Sequence, residues 1–470
     1  MKYSVITFGC RVNQADSLRL EEDLRAQGGI DAPSCDADVV IVNTCSVTAT
    51  ADQGARQTIR RIARENPHAK IVATGCYATR CEDELAALPG VVRVVRNDEK
   101  LGFLREWLRE QTSVASERAG EFEGRSPSRN AERTSIASEP RERSGGGVPA
   151  SERAGEFEGR SPSSENNGPC GSRIEPGVAG RTAFTIRAQT GCEERCAYCI
   201  IPSTRGASRS LPVAELVREV SRVADAGFKE VTIAGVHLGS YGRDLSPSSS
   251  LIDLLRALDD VAGDVTYRIS SLEPMDCTAE IVDFVSSSAR FLPHFHLPLQ
   301  HASDRLLAAM RRPYTFDYYR RLVDAIVTRL PHASIGSDMI VGFPGETDAD
   351  FAANLAYLPS SPLTHLHVFP YSDRPGTEAS AMREKIHGAI VRERGARLRS
   401  IGAELTARFR AAQAGTVRPG LTLEDGTLVV TDNYLKLRID PGTPRNTRVL
   451  VAIPPVGATL RSRIVESAIS

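Results

Sequence analysis

The stretch TGCEERCAYCIIPSTRG, residues 190–206, decides how the rest of the chain is read. Cys192, Cys196 and Cys199 stand in a C-x3-C-x2-C pattern just after the apolar run AFTIRA at 183–188. Three thiolates on one tight loop can hold three irons of a cubane 4Fe–4S cluster and leave the fourth iron open to an external ligand. A structural zinc site is the alternative, but zinc takes four ligands in a closed site. No fourth Cys or His follows at a suitable spacing.

Working outward, residues 181–376 repeat strand and helix. Apolar runs recur at AFTIRA, EVTIAGV (230–236), VTYRISS (265–271), FHLPL (295–299), SIGSDMIVGF (334–343) and HLHVFPY (365–371). Between the first two, Val213–Ala226 has helical apolar spacing and is stopped by Gly227. Six such units predict a full or partial barrel of the TIM type, with chemistry at the carboxyl ends of the strands. Each strand there ends in polar or special residues: Gln189 to Cys192, His237, Glu273, Gln300-His301, Gly345-Glu346 and Tyr371.

Towards the amino terminus, YSVITF (3–8), VVIVNT (39–44) and KIVATG (70–75) alternate with helical stretches around 17–27 and 52–65. This predicts an α/β domain with a parallel sheet over 1–112. Cys10, Cys45 and Cys76 each follow one of these strands, at the edge where open α/β sheets place ligand sites. Residues 113–180 are rich in Ser, Gly, Pro, Arg and Glu, and ASERAGEFEGRSPS occurs at both 115–128 and 150–163. So polar a segment cannot bury enough surface to offset its ordering entropy, and it reads as a disordered linker carrying a duplication. Cys170 at its end reads as a free thiol, and Cys35, Cys81 and Cys277 as packing residues.

Beyond the barrel, 377–414 reads as helix, completing a unit over 181–412. The last residues, 413–470, alternate short strands with Gly, Asn, Asp and Pro turns, as a small all-β barrel would.

Composition sets outer bounds. The 470 residues are too many for one core. With 41% hydrophobic and 25% charged residues the chain reads as an ordinary globular protein. A net charge of −1 gives no global argument for nucleic acid. No run approaches the roughly 20 apolar residues of a membrane helix, and MKYSVITFGC reads as a strand rather than a signal peptide. The expected location is the cytoplasm, where ten cysteines would stay reduced and patterned ones would bind metal.

The cysteine spacing, Tyr198 before the last cysteine and IIPSTRG together resemble the radical S-adenosylmethionine superfamily, and more narrowly its methylthiotransferases. FGCRVNQADS (8–17), VNTCSVTATAD (42–52) and ATGCYA (73–78) are similar to that family's amino-terminal domain. GVHLGSYGRD (235–244), RISSLEP (268–274), HLPLQHASDRLLAAMRRPYT (296–315), DMIVGFPGET (338–347) and HVFPYSDRPGT (367–377) are similar to its barrel motifs. The carboxyl-terminal module resembles the TRAM domain, a small RNA-binding barrel.

The resemblance implies that Cys192, Cys196 and Cys199 hold the cluster that binds S-adenosylmethionine and cleaves it to a 5′-deoxyadenosyl radical. It implies that Cys10, Cys45 and Cys76 hold an auxiliary 4Fe–4S cluster; three buried structural thiols are the alternative. Tyr198, Glu273 and the turn from Gly342 to Glu346, through Gly342 and Gly345, are candidates to hold the cofactor, or else serve local structure. His301 has no assignment. GCRVNQADS and GVHLGSYG resemble the branch that adds a methylthio group to C2 of N6-threonylcarbamoyladenosine at position 37 of tRNA. Other branches act on isopentenyladenosine in tRNA or on ribosomal protein S12.

Implied partners are the tRNA anticodon stem-loop, a reductant such as flavodoxin or ferredoxin, and a sulfide source. In the last module Tyr434 and Lys436 are candidates for RNA contact, Tyr434 either as a stacking face or as core. Arg392, Arg394, Arg397 and Arg399 could touch phosphate or form a solvated helix face. A non-enzymatic RNA-binding protein with structural metal, and a radical methylase with a cobalamin-binding amino-terminal domain, are the readings from other classes.

Overall fold

The computed structural model describes residues 1–100, 175–176, 182–455 and 462–467. The expected linker at 113–180, with its duplication and Cys170, lies outside the described residues apart from 175–176.

The amino-terminal sheet runs in the order β2-β1-β3-β4-β5, with every neighbour parallel. Its strands are β1 (Lys2–Thr7), β2 (Ile30–Asp31), β3 (Val39–Thr44), β4 (Lys70–Gly75) and β5 (Val91–Val95). All six residues of β3 are buried. A central strand covered on both faces needs such a continuous apolar run rather than alternation. Helix α1 (Arg11–Ala26) covers one face through Leu20 and Leu24, and α2 (Ala49–Glu65) covers the other through Ala55, Ile59 and Ile62. Thr48 caps α2 by accepting from Ala51 N–H at 3.2 Å. Helix α1 begins at Arg11, six residues before the expected Ser17, and Asn13 in its first turn is bonded to Phe8 O, Thr44 O and Asn43 at the sheet edge.

The central unit is a partial barrel, as expected. Its strands are β6 (Phe184–Arg187), β7 (Gln189–Thr190), β8 (Arg209–Ser210), β9 (Glu230–Ala234), β10 (Thr266–Ile269), β11 (His294–His296), β12 (Ser334–Val341) and β13 (His365–Pro370). Six of these run parallel in the orders β6-β9-β10 and β11-β12-β13. Single bridges at Tyr267–Phe291 and Ser271–His296 join the two halves. The short β7 and β8 pair antiparallel around the cysteine loop. Side chains such as Ile186, Ile233, Phe295 and Met339 face the helices in one large core. Those helices start on side-chain caps at Ser250, Thr278, Ser303, Thr315 and Thr347. Helix α1 packs against β6, so the amino-terminal domain sits on the barrel's first strand.

The single helix expected over 377–414 is broken. Glu378–Ala381 is one short turn and Gly388–Gln413 the long helix. Between them Glu384 O accepts from Gly345 N–H at 2.8 Å, which pins the interruption to the barrel, and Lys385 Nζ donates back to Ala379 O at 2.8 Å. Arg394, expected on an exposed or phosphate-binding face, is buried and bonds Asp348 at 2.7 Å and Glu346.

The last unit has five antiparallel strands: β14 (Val417–Leu423), β15 (Leu428–Thr431), β16 (Lys436–Arg438), β17 (Arg448–Ala452) and β18 (Arg463–Ser467). Their order is β16-β15-β14-β17-β18, and Ser462 N–H donates to Arg438 O at 3.0 Å, drawing the free edges together into a half-closed barrel. Arg268 of β10 reaches across to the carbonyls of Thr431 and Asp432, both at 2.8 Å. That anchors the module to the barrel.

Candidate active site

The two cysteine sets lie on facing edges of the amino-terminal sheet and the barrel. In the first set, Cys45 and Cys76 are buried and Cys10 is exposed at the rim. A Cβ placed on Gly9 would fall 2.4 Å from Cys45 Sγ, which shows how closely the β1 loop approaches β3. Burial first, then the neighbouring Cys10 and Cys76, push the Cys45 thiol up to about 12. Arg205 stands beside Cys76, and Asn97 Nδ2 donates to Cys76 Sγ at 3.4 Å. Three thiols crowded at one edge beside a fixed cation make a set that a metal can take up as thiolates. The residues fit an iron–sulfur cluster.

The second set follows the same logic. Burial pushes the Cys199 thiol up to about 12, with Cys196 and Cys192 adding to the effect. Cys196 Sγ accepts from Arg312 Nη1 at 3.2 Å. Cys192 Sγ lies 3.9 Å from Nδ1 of His237, whose Nε2 is 2.7 Å from Asp276. Burial alone would lower the His237 pKa, but Asp276 and Cys192 outweigh it and raise it to about 9.

The structure brings Tyr198, Glu273 and the start of the Gly342 turn to this loop, while Gly345 contacts Arg305 and Glu384. Tyr198 packs with Phe343, next to Gly342, and with Met310. Glu273 pairs with Arg312, so its carboxylate reaches Cys196 through that guanidinium. Gly342 has a φ of +79°, and a Cβ there would lie 2.5 Å from Val391. Gly345 O accepts from Arg305 at 2.6 Å. The tightness at Gly342 comes from the chain's own packing and from Glu346, whose carboxylate caps its N–H.

Three side chains tie the edges together, and the sequence reading passed over them. Asp16 of α1 is fully buried and pairs with Lys100, with Arg187 of β6 and, at 3.4 Å, with Arg205. Arg205 also bonds Asn13 and, at 3.0 Å, Thr190. Asn97 spans from Cys76 to Thr204 O, at 3.1 Å. All but Lys100, Arg187 and Asn97 stand inside FGCRVNQADS and TGCEERCAYCIIPSTRG, but nothing in either segment says that they meet. Lys100, Arg187 and Asn97 gave no signal.

Other expectations are corrected. Tyr434 is neither module core nor an open stacking face. Its ring stacks on His294 with centroids 4.3 Å apart, Arg268 lies over it at 5.1 Å, and its hydroxyl accepts from Arg11 at 3.0 Å. It joins all three units. Lys436 is exposed. Arg418, Arg438 and Arg448 are paired with Asp432, Glu424 and Asp264, so these three guanidiniums already have a carboxylate partner. Cys277 and the half-buried Cys81 are packing residues, as expected, whereas Cys35 is exposed. His301 is buried and bonded to Asn354 at 2.9 Å, a structural role. Among the described residues no helix is long and apolar enough to cross a membrane.

Because Gly9 has a φ of +92° and Cys45 Sγ would sit inside its methyl, Gly9→Ala is expected to disturb the first set alone. Reconstituted iron should fall from about eight towards about four per chain, while 5′-deoxyadenosine formation persists; iron analysis beside a product assay checks this.

Residues 2–96 match the family described as Uncharacterized protein family UPF0004, and residues 186–358 match the Radical SAM superfamily. The chain is 34% identical over 445 residues to the threonylcarbamoyladenosine tRNA methylthiotransferase MtaB of Aquifex aeolicus, covering 93% of this chain and 96% of that one. It is 31% identical to the enzyme of the same name from Bacillus subtilis, covering 92% and 88%. A ribosomal protein uS12 methylthiotransferase, RimO of a Roseiflexus species, is 33% identical over 84% of this chain and 79% of its own. Among solved structures, the radical S-adenosylmethionine methyltransferase TsrM of Kitasatospora setae superposes with a TM-score of 0.50 at 18% identity, over 81% of this chain and 73% of that one. That likeness concerns the fold alone. Radical enzymes of this superfamily use a 4Fe–4S cluster with S-adenosylmethionine, and the methylthiotransferases carry two clusters. With matched domains at both cysteine edges and full-length relatives above 30% identity, the chain belongs to the radical S-adenosylmethionine methylthiotransferases, a family of transferases.

Proposed function

We propose that this chain adds a methylthio group to C2 of N6-threonylcarbamoyladenosine at position 37 of tRNA. Cys192, Cys196 and Cys199 hold the cluster that binds S-adenosylmethionine, and Cys10, Cys45 and Cys76 hold the auxiliary one. The observation that carries this reading is the pair of three-cysteine edges, facing each other and linked by Asp16, Arg205 and Asn97. The choice of nucleoside is supported by the relatives named for it, which align over nearly the whole chain.

When bound, the clusters supply the electron that cleaves S-adenosylmethionine and the site that carries sulfur. The chain's own residues do the rest. Arg312 keeps a positive charge against Cys196, and Arg205 does the same beside Cys76. Tyr198 and the turn from Gly342 to Gly345 form one side of the cofactor site, and Glu273 holds Arg312 in place. The Asp16 network fixes the distance between the edges, which is the protein's main contribution to a radical reaction. The tRNA enters by its anticodon stem-loop, with Lys436 and the exposed Arg392, Arg397 and Arg399 near the phosphates. A flavodoxin- or ferredoxin-type reductant and a sulfide source complete the cycle, in the cytoplasm.

A cobalamin-dependent reading lacks support. Among the described residues before 101 the one histidine is His68, exposed on the turn before β4, at the sheet edge away from the cysteines.

The test is anaerobic turnover on anticodon stem-loops carrying threonylcarbamoyladenosine or isopentenyladenosine, with nucleosides resolved by mass spectrometry. The expected product is the methylthio derivative of the first. Exclusive modification of the second, or of S12, would replace the substrate. A variant with Cys10, Cys45 and Cys76 changed to Ala should still form 5′-deoxyadenosine but transfer no methylthio group.

A further inference from the structure

The inner face of β11, β12 and β13 carries a ladder of imidazoles that the cluster sites do not use. Phe295, Met339 and Val368 turn outward to the helices, so alternation turns His294, His296, Asp338, His365, His367 and Phe369 into the barrel. Asp338 Oδ1 lies 2.9 Å from His296 Nε2 and 3.2 Å from His367 Nδ1. One carboxylate oxygen therefore fixes both rings. The second nitrogen of each ring has no hydrogen-bond partner among the described residues. Neighbouring rings are in contact along the ladder, His294 with His365, His365 with His296, and His296 with His367. At its base Tyr434 stacks on the buried His294 and closes that end. Exposure then rises along the strands, from 13% of the His296 side chain to 55% of that of His367, and ends at Phe369, an exposed aromatic ring two residues further on. This open end points to the carboxyl ends of the strands, where the cluster loop lies.

We propose that this ladder is the pocket for the N6 substituent of the substrate nucleoside. His296 and His367, oriented by Asp338, hydrogen-bond the hydroxyl, carbamoyl and carboxylate groups of a threonylcarbamoyl substituent, and Phe369 packs against the adenine. The inference rests on the function proposed above and deepens it by naming what selects the nucleoside. An imidazole with one nitrogen fixed on a carboxylate presents the other in a defined direction, as donor or acceptor according to its protonation. A polar, hydroxylated substituent satisfies such groups. An apolar dimethylallyl group would displace their water and leave them unpaired. Pockets built to hydrogen-bond reject an analogue lacking the partner far more strongly than apolar pockets reject an extra polar group. Phe369 offers the sequence-tolerant π-face on which an unpaired base stacks.

The experiment uses the holoenzyme with both clusters. It measures binding of three anticodon stem-loops, with threonylcarbamoyladenosine, isopentenyladenosine or plain adenosine at position 37, beside kcat and KM on the first. Wild type should bind the first more tightly than the plain stem-loop. His367→Leu should erase that preference, raising KM about tenfold or more, with His367→Gln restoring part of it. His296→Gln should act in the same direction. Phe369→Leu should weaken all three stem-loops alike and leave their ratio unchanged. Iron content and 5′-deoxyadenosine formation without RNA should stay at wild-type levels in each variant. A threonylcarbamoyl preference that survives in both His367→Leu and His296→Gln would overturn the pocket while leaving the proposed function intact. A wild type that prefers the isopentenyl stem-loop would overturn both. Zinc or iron bound beyond the two clusters and lost in His367→Leu would overturn the pocket in favour of a two-histidine, one-carboxylate metal site.

Discussion

A chain with Cys192, Cys196 and Cys199 all changed to Ala is expected to form no 5′-deoxyadenosine and to keep about half of its iron, about four per chain in place of about eight. Each of these thiols is a potential iron ligand. Removing all three leaves Arg312, Glu273 and Tyr198 facing an empty loop. The first set is on a separate sheet and keeps its own cation, Arg205, so its iron should survive. Product formation should fall below detection, because without the radical there is no reaction to slow. Iron and sulfide analysis with product chromatography checks both halves. Loss of all iron from the triple variant would mean that the two sets assemble as one unit. Iron unchanged from wild type would remove the second set from cluster ligation.

Asp16→Asn should have the next largest effect, by a different route. Burial alone would push the Asp16 carboxyl up, but Lys100, Arg187 and Arg205 outweigh it and hold the pKa well below the usual 3.8. Removing the charge leaves three cations in a buried interface without their counter-charge, at a cost of about 3–5 kcal/mol. Because the folded-state pKa is depressed, wild type has this stabilisation in full above the ordinary carboxylate range and loses it as the pH falls through that range and below. The gap between wild type and Asp16→Asn is therefore expected to be full at pH 7 and to narrow only below about pH 4. Denaturant unfolding at several pH values measures it. At neutral pH the amino-terminal domain should lose its fixed position on β6. Methylthio transfer should fall about a hundredfold, while S-adenosylmethionine cleavage, which needs only the second set, should continue without product. Equal loss of both reactions would show that the contact holds up the barrel rather than the spacing of the two edges.

Much of the fold was legible because its signals are local. Residues 39–44 form an apolar run that only a doubly covered central strand accommodates, and they are buried throughout. Five of the six barrel strands fall within the apolar runs that predicted them, and β11 begins one residue before its run, since each run alternates with a helix and ends in polar residues. The expected helix at 377–414 broke because its interruption is held by Gly345, distant in sequence, and not by any helix-breaking residue in the gap. Tyr434 was misread for a similar reason. A tyrosine on a turn of a small β-module looks the same in sequence whether it faces solvent or another domain, and here His294, Arg268 and Arg11 decide.

The sequence by itself pointed to the chemistry, because three cysteines at spacings of four and three residues can converge on one short loop, and because strand-end positions for Cys10, Cys45 and Cys76 follow from hydrophobic pattern alone. Only the tertiary structure decided which charges serve those sulfurs and what lines the barrel. Asp16 and Arg205 are 189 residues apart and His296 and Asp338 are 42 apart. Contacts over such distances depend on how sheets pack and on strand register, and the pattern along the chain shows which face a side chain takes but not the residue it meets there.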